Sequence, residues 1–191
     1  MSKNPRSTTI NGLGVACAAI VISLAATAGA APPLPDLTVN LAVPANAVAG
    51  EDIGPRVTLR VKNVGRAPAW GTTDHPTGYM VDLTLGRDEV VPPGFAGFSP
   101  HFREDVLLKG GRVSNTVDLP PGAFRGYPVG AGIPNDTPPG RYFVCARVDP
   151  GSAVNESNEN NNVTCRPIGV VQRLNVGPQD DLPGIKPPEG E

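Results

Sequence analysis

Apolar and polar residues alternate in short runs along most of this chain. From Asp36 to Val43, Leu37, Val39, Leu41 and Val43 fall on one side. Asp36, Thr38 and Asn40 fall on the other, which is the pattern of a half-buried strand. Arg56 to Lys62 repeats it, with Val57, Leu59 and Val61 inward and charges outward, and Asn63-Val-Gly65 ends the run. Tyr79 to Leu85 repeats it through Tyr79, Val81, Leu83 and Leu85. Arg112 to Leu119 is a weaker strand, stopped by Pro120-Pro121-Gly122. Arg141 to Val148 and Val163 to Val171 complete the set, with a short extra strand expected at Phe102 to Leu108. Pro44 to Gly54 reads as a turn region.

Six or seven strands with one wet face each, separated by turn signals, predict an all-β fold built as an antiparallel sandwich. Composition agrees. Gly and Pro number 23 each and aromatics are 5%, which suits short strands joined by turns. Two segments exceed what a bare sandwich needs: Gly71 to Gly78, with Asp74 and His75, and Gly86 to Gly110, with Phe95, Phe98, His101 and Phe102. Loops that long in a compact domain are often functional.

The two ends read differently. Residues 1–30 open with Lys3 and Arg6, continue through the apolar Leu13 to Ala26, and close on Ala28-Gly29-Ala30. This is the pattern of a secretory signal peptide cut after Ala30. An uncleaved membrane anchor over Leu13 to Ala31 is the competing reading. The small-residue end and Pro32-Pro33 favour cleavage, which would leave no membrane span. The sandwich is expected over 34–174, and 175–191, Pro-rich with few large apolar groups, reads as a disordered tail. The chain carries a net charge of −2, and removing 1–30 makes it two units more negative. No basic cluster remains, which argues against nucleic acid and against an anionic membrane surface.

With Cys17 inside the signal segment, Cys145 and Cys165 are left in an exported chain, so a disulfide between them is the default. Tyr142, Val144, Ala146 and Val148 share an apolar face, so Cys145 is expected on the opposite, outer face, as a cross-strand staple. Between the two cysteines lies a loop dense in oxygens, Asp149 to Asn162. Asp149, Asn155, Glu156, Asn158 and Glu159 have the chemistry of calcium ligands. The spacing is not that of an EF-hand, because Gly151 and Ala153 stand where ligands would be needed. The alternative reading is that these side chains bond the loop's own backbone and hold left-handed conformations. No cofactor is otherwise implied.

The closing stretch has a resemblance to a known family. Pro139-Gly140-Arg-Tyr142, the strand through Val148, Asp149-Pro150 and Val154-Asn-Glu156-Ser-Asn158-Glu159-Asn-Asn161 resemble the end of a CARDB domain, a cell-adhesion-related domain found in bacteria. Pro35-Asp-Leu-Thr-Val, Ala49-Gly50 and Val57 to Gly65, followed by Ala67 and Ala69, resemble its beginning. The resemblance covers roughly residues 34 to 172. It implies an immunoglobulin-like antiparallel β-sandwich of about seven strands on an exported or surface protein, without enzymatic activity. The Gly86 to Gly110 insertion and the cysteine pair depart from the pattern.

No nucleophile stands in a recognisable turn, so Asp74, His75 and His101 read as exposed loop residues rather than a hydrolase site. Trp70, Phe95, Phe98, Phe102 and Phe124 lie in or beside turns. They either cap the open ends of the sandwich or grip a partner, and Phe95, Phe98 and Phe102 are the candidate binding cluster. The expected task is adhesion or interaction with a protein or glycan partner, in the periplasm, at the cell surface or outside the cell. The alternative is a calcium-stabilised carbohydrate-binding module.

Overall fold

The structure is a computed structural model and describes residues 31–72, 78–97, 105–114 and 117–173. The signal-peptide reading of 1–30 and the tail reading of 175–191 lie outside the described residues, as do Asp74, His75, Phe98, His101 and Phe102. The fold below belongs to the compact unit that begins at Pro32.

Eight strands are described: β1 (Leu37–Ala42), β2 (Asn46–Val48), β3 (Thr58–Asn63), β4 (Met80–Gly86), β5 (Val106–Ser114), β6 (Phe124–Tyr127), β7 (Gly140–Val148) and β8 (Val163–Val171). They form two sheets, ordered β1-β3-β6 and β2-β8-β7-β4-β5. The all-β, immunoglobulin-like sandwich expected from the alternation is what the chain forms. Leu37, Leu41, Leu59 and Val61 from the first sheet face Tyr79, Val81, Leu83, Leu85, Tyr142, Val144, Ala146 and Val148 from the second, all essentially inaccessible. The Tyr79 hydroxyl meets that of Tyr127 at 2.7 Å, so the buried phenol is satisfied by a half-buried one.

Several expectations are corrected. The sandwich is not wholly antiparallel: β2 runs parallel to β8, with Asn46 opposite Gly169 and Val48 opposite Val171. This strand lies inside the segment read as a turn, and its three residues are too few for alternation to show. A 3-10 turn, Gly54–Arg56, follows. The weak strand at 112–119 is misplaced. Residues 112–114 finish β5, whereas Leu119 makes an isolated bridge to Ala69. The extra strand expected at 102–108 is the start of the same β5. A bulge joins the two pieces. Asp82 pairs with Arg112 but Thr84 pairs with Leu107, and the slack is taken up around Gly110, whose φ of +76° favours glycine. Phe124, expected in or beside a turn, opens β6 directly after the turn at Pro120 to Ala123.

The wet outer face expected for each sheet holds for the first and fails for the second. In β4 every residue from Val81 to Gly86 is buried, including the outward Asp82 and Thr84, each 1% exposed. Something covers that face.

Candidate functional site

The cover is the segment that follows β4, residues 87–97, and a few polar side chains hold it down. Asp82 projects from the outer face of β4 and is bridged by Arg112 of β5 through Nε and Nη2, at 2.6 and 2.7 Å. Its Oδ2 also accepts the Ala96 N–H at 3.0 Å, and Arg112 Nη2 donates to the Ala96 carbonyl at 2.9 Å. Further along, Arg147 Nη2 donates to Val91 O at 2.5 Å and Cys165 Sγ lies 3.5 Å from Glu89 O. The Arg112 guanidinium is moved above its ordinary range by its bonds to Asp82. Arg147 is moved below its own, because burial outweighs the attraction of Asp82.

Phe95 sits at the end of this strap. Arg112 stacks on its ring, 4.8 Å from the centroid, and the ring lies where a side chain on Gly151 would be, with Phe95 Cζ only 2.8 Å from such a Cβ. Glycine at 151 therefore lets the strap reach the 149–162 loop. Phe95 remains 55% exposed. The structure brings it to the rim of that loop.

Cys145 and Cys165 face each other across β7 and β8, and their sulfurs are bonded at 2.03 Å. The staple lies within one sheet, on the face turned away from the core. This is the outer face expected for the staple, although it is not open to solvent. Cys145 is 2% exposed and Cys165 half-buried, because the strap lies over them.

In the 149–162 loop the oxygens are occupied locally. Asp149 has φ of +49° and its carboxylate accepts the N–H groups of Ala153 and Val154 at 3.0 and 2.9 Å. Asn158 Oδ1 accepts Asn160 N–H, and Glu159 Oε1 accepts Glu156 N–H. Asn155 is exposed. Glu156, 5% exposed, reaches out of the loop. One carboxylate oxygen accepts the Leu37 N–H of β1, and the other accepts Asn162 Nδ2 at 2.8 Å. Burial pushes the Glu156 carboxyl up to about 7, helped by the negative charges of Glu159 and Asp149 and opposed by its two hydrogen bonds. Asp149 is also raised by burial, with its backbone bonds pulling the other way. Among the described residues no three His, Cys, Asp or Glu side chains converge as a metal site. The five candidate ligands thus occupy one loop, with their carboxylates engaged by backbone N–H groups and, at Glu156, by the Asn162 amide as well.

Sequence reasoning passed over Asn63. It is fully buried, and its amide meets four backbone groups. Oδ1 accepts from Asp36 and Gly65, while Nδ2 donates to Ala67 O and Leu119 O, all at 2.8–3.1 Å. A Cβ on Gly65 would lie 2.4 Å from Asp36 N, so the chain passes itself too closely there for any side chain. The signal was present in the Asn63-Val-Gly65 run. Asp82 was likewise visible as a lone acid in an apolar strand.

No protein-family model and no curated relative matches this chain. Solved structures similar to it include the CARDB domain of a Pyrococcus furiosus protein, solved in complex with di-metal ions. That domain is 23% identical, spanning 72% of this chain and 90% of that one, with a TM-score of 0.48. A domain of a putative cell surface protein from Methanosarcina acetivorans is 20% identical over 72% of this chain and 93% of that one, with a TM-score of 0.44. The sporulation control protein of Bacillus subtilis is 17% identical over 71% of this chain and 49% of its own, with a TM-score of 0.41. The first carries the same family name that the hairpin motif evokes.

Proposed function

We propose that this chain is an exported, non-enzymatic interaction module that binds a partner at the cell envelope or outside the cell. The observation that carries this reading is the contrast between its two outer faces. The strap covers the five-stranded sheet over β4 and the disulfide, whereas among the described residues nothing covers Phe124 on the three-stranded sheet, which is 65% exposed. An aromatic ring kept in water on an exposed strand has the character of a contact residue. The buried carboxylates Asp82, Asp149 and Glu156 all serve the fold's own backbone and side chains, which supports the absence of catalysis. A disulfide and a signal-like leader support export.

Incubating the purified full-length chain with fractionated envelope and spent medium tests this. Retention by either one, lost on Phe124→Ala, is the expected result. A chain that stays in the cytoplasm when expressed in its host, or that is retained by neither fraction, overturns the reading.

A second reading is a carbohydrate-binding module stabilised by calcium in the 149–162 loop. It is favoured by the buried Oδ1 atoms of Asn161 and Asn162, which have no hydrogen-bond partner. Calcium titration followed by thermal unfolding tests it. A rising melting temperature supports it, and one unchanged at about 1 mM calcium, the weak end of protein calcium sites, overturns it.

A further inference from the structure

The open outer face of β1-β3-β6 contains a groove of about 490 Å³. Two rows of directly opposed residues supply most of its lining, with Gly126 beside it at the end of the second. One is Thr38, Lys62 and Phe124; the next is Asn40, Arg60 and Gly126. The Arg60 guanidinium carbon lies 5.8 Å from the centroid of the Phe124 ring. The groove therefore joins an exposed aromatic, two exposed cations, a hydroxyl and an amide.

Charge says what kind of partner fits. The chain as a whole is net negative, yet among the described residues no carboxylate lines this groove. Asp36, the acid just before β1 and two residues from Thr38, is held by Asn161 Nδ2 at 2.7 Å and Ser157 Oγ at 3.2 Å. A positive groove on a negative body selects an anion locally and repels it elsewhere.

Shape says which anion. An acidic peptide would most readily add a strand at a sheet edge, using backbone groups. This groove instead crosses the flat face and offers only side chains. A ring face stacks on the apolar side of a sugar, guanidinium and ammonium groups match carboxylates, and Thr38 and Asn40 match hydroxyls. Gly126 adds to this. A Cβ there would meet nothing nearer than Leu59 O at 3.8 Å, so packing does not require glycine. Its bareness leaves open space on β6 next to the Phe124 position.

We propose that this groove binds a carboxylated polysaccharide, with Phe124 as the stacking platform and Arg60 and Lys62 as the carboxylate contacts. The inference rests on the interaction-module reading and gives it a site and a ligand class.

The test is affinity electrophoresis of the full-length chain through gels containing polygalacturonate, uncharged dextran or poly-L-glutamate. Polygalacturonate retards the chain, and dextran does not. Phe124→Ala and Gly126→Glu each weaken the retardation about tenfold, as loss of a central contact does. Both positions are exposed, so both variants keep the parent melting temperature. Salt at about 1 M abolishes the effect by screening. Equal retardation of parent and variants overturns the site. Stronger retardation by poly-L-glutamate overturns the ligand class in favour of an acidic polypeptide. If polygalacturonate fails while envelope material still retains the chain, this inference falls alone. If both fail, the interaction-module reading falls with it.

Discussion

Asn63 shows how one side chain can govern a junction. Its amide gives every donor and acceptor it has to backbone groups from the start of β1, the turn after β3 and the approach to β6. A buried group satisfied this fully fixes one arrangement, because any other leaves several polar atoms unpaired. Glu156 does similar work on the next residue, at the same end of β1, but with a proton at stake. Its carboxyl is raised from 4.5 to about 7, mainly by burial. A folded-state value above the unfolded one favours the native state fully below about 4.5, and that contribution is lost as pH rises through about 7. The melting temperature should therefore be higher at pH 5 than at pH 8. Glu156→Gln should remove most of that difference. Its amide still accepts from Leu37 N–H and, once the Asn162 amide turns over, donates to Asn162 Oδ1, which is otherwise without a partner. Equal melting temperatures for the parent at pH 5 and pH 8 would contradict this account.

At the scale of elements, the strap over 87–97 is the part that most changes the behaviour of a sheet. It converts the outer face of β4 from a surface into a second interior, with Asp82 as its buried anchor. Arg112→Ala leaves that carboxylate buried without its cation, and such a loss costs about 3 kcal/mol or more. The variant should also expose 87–97 to proteinase K, and an unchanged rate of nicking there would show that the ion pair does not hold the strap. The long alternating strands β1, β3, β4, β7 and β8 were legible in the sequence because each has enough residues to show which side is apolar. β2 and β6, with three and four residues, were not. Nor was the strap. Asp82 and Thr84 read as solvent-facing because alternation reports only that a residue points away from one core. It cannot report a cover arriving from elsewhere in the chain. The loop's chemistry was legible as a choice between cation ligands and backbone acceptors. Geometry adds that Asp149, Glu156 and Glu159 are engaged by N–H donors.

For the whole molecule, the position of the disulfide matters more than its presence. It joins neighbouring strands of one sheet and does not tie the two sheets together. With a sequence separation of 20, it contributes about 3 kcal/mol by restricting the unfolded chain. The double variant Cys145→Ala, Cys165→Ala should therefore unfold at lower urea and still show the native far-ultraviolet spectrum. Complete unfolding in buffer would mean that the staple holds the sandwich itself. The bond from Leu37 N–H to Glu156 spans 119 residues. It means that the first strand of the core is finished by a loop made 119 residues later. Such long-range closure makes early, partial folding unrewarding, since the cost of ordering β1 precedes most of its return. A chain built this way leaves β1 loose until the residues that close it have been made.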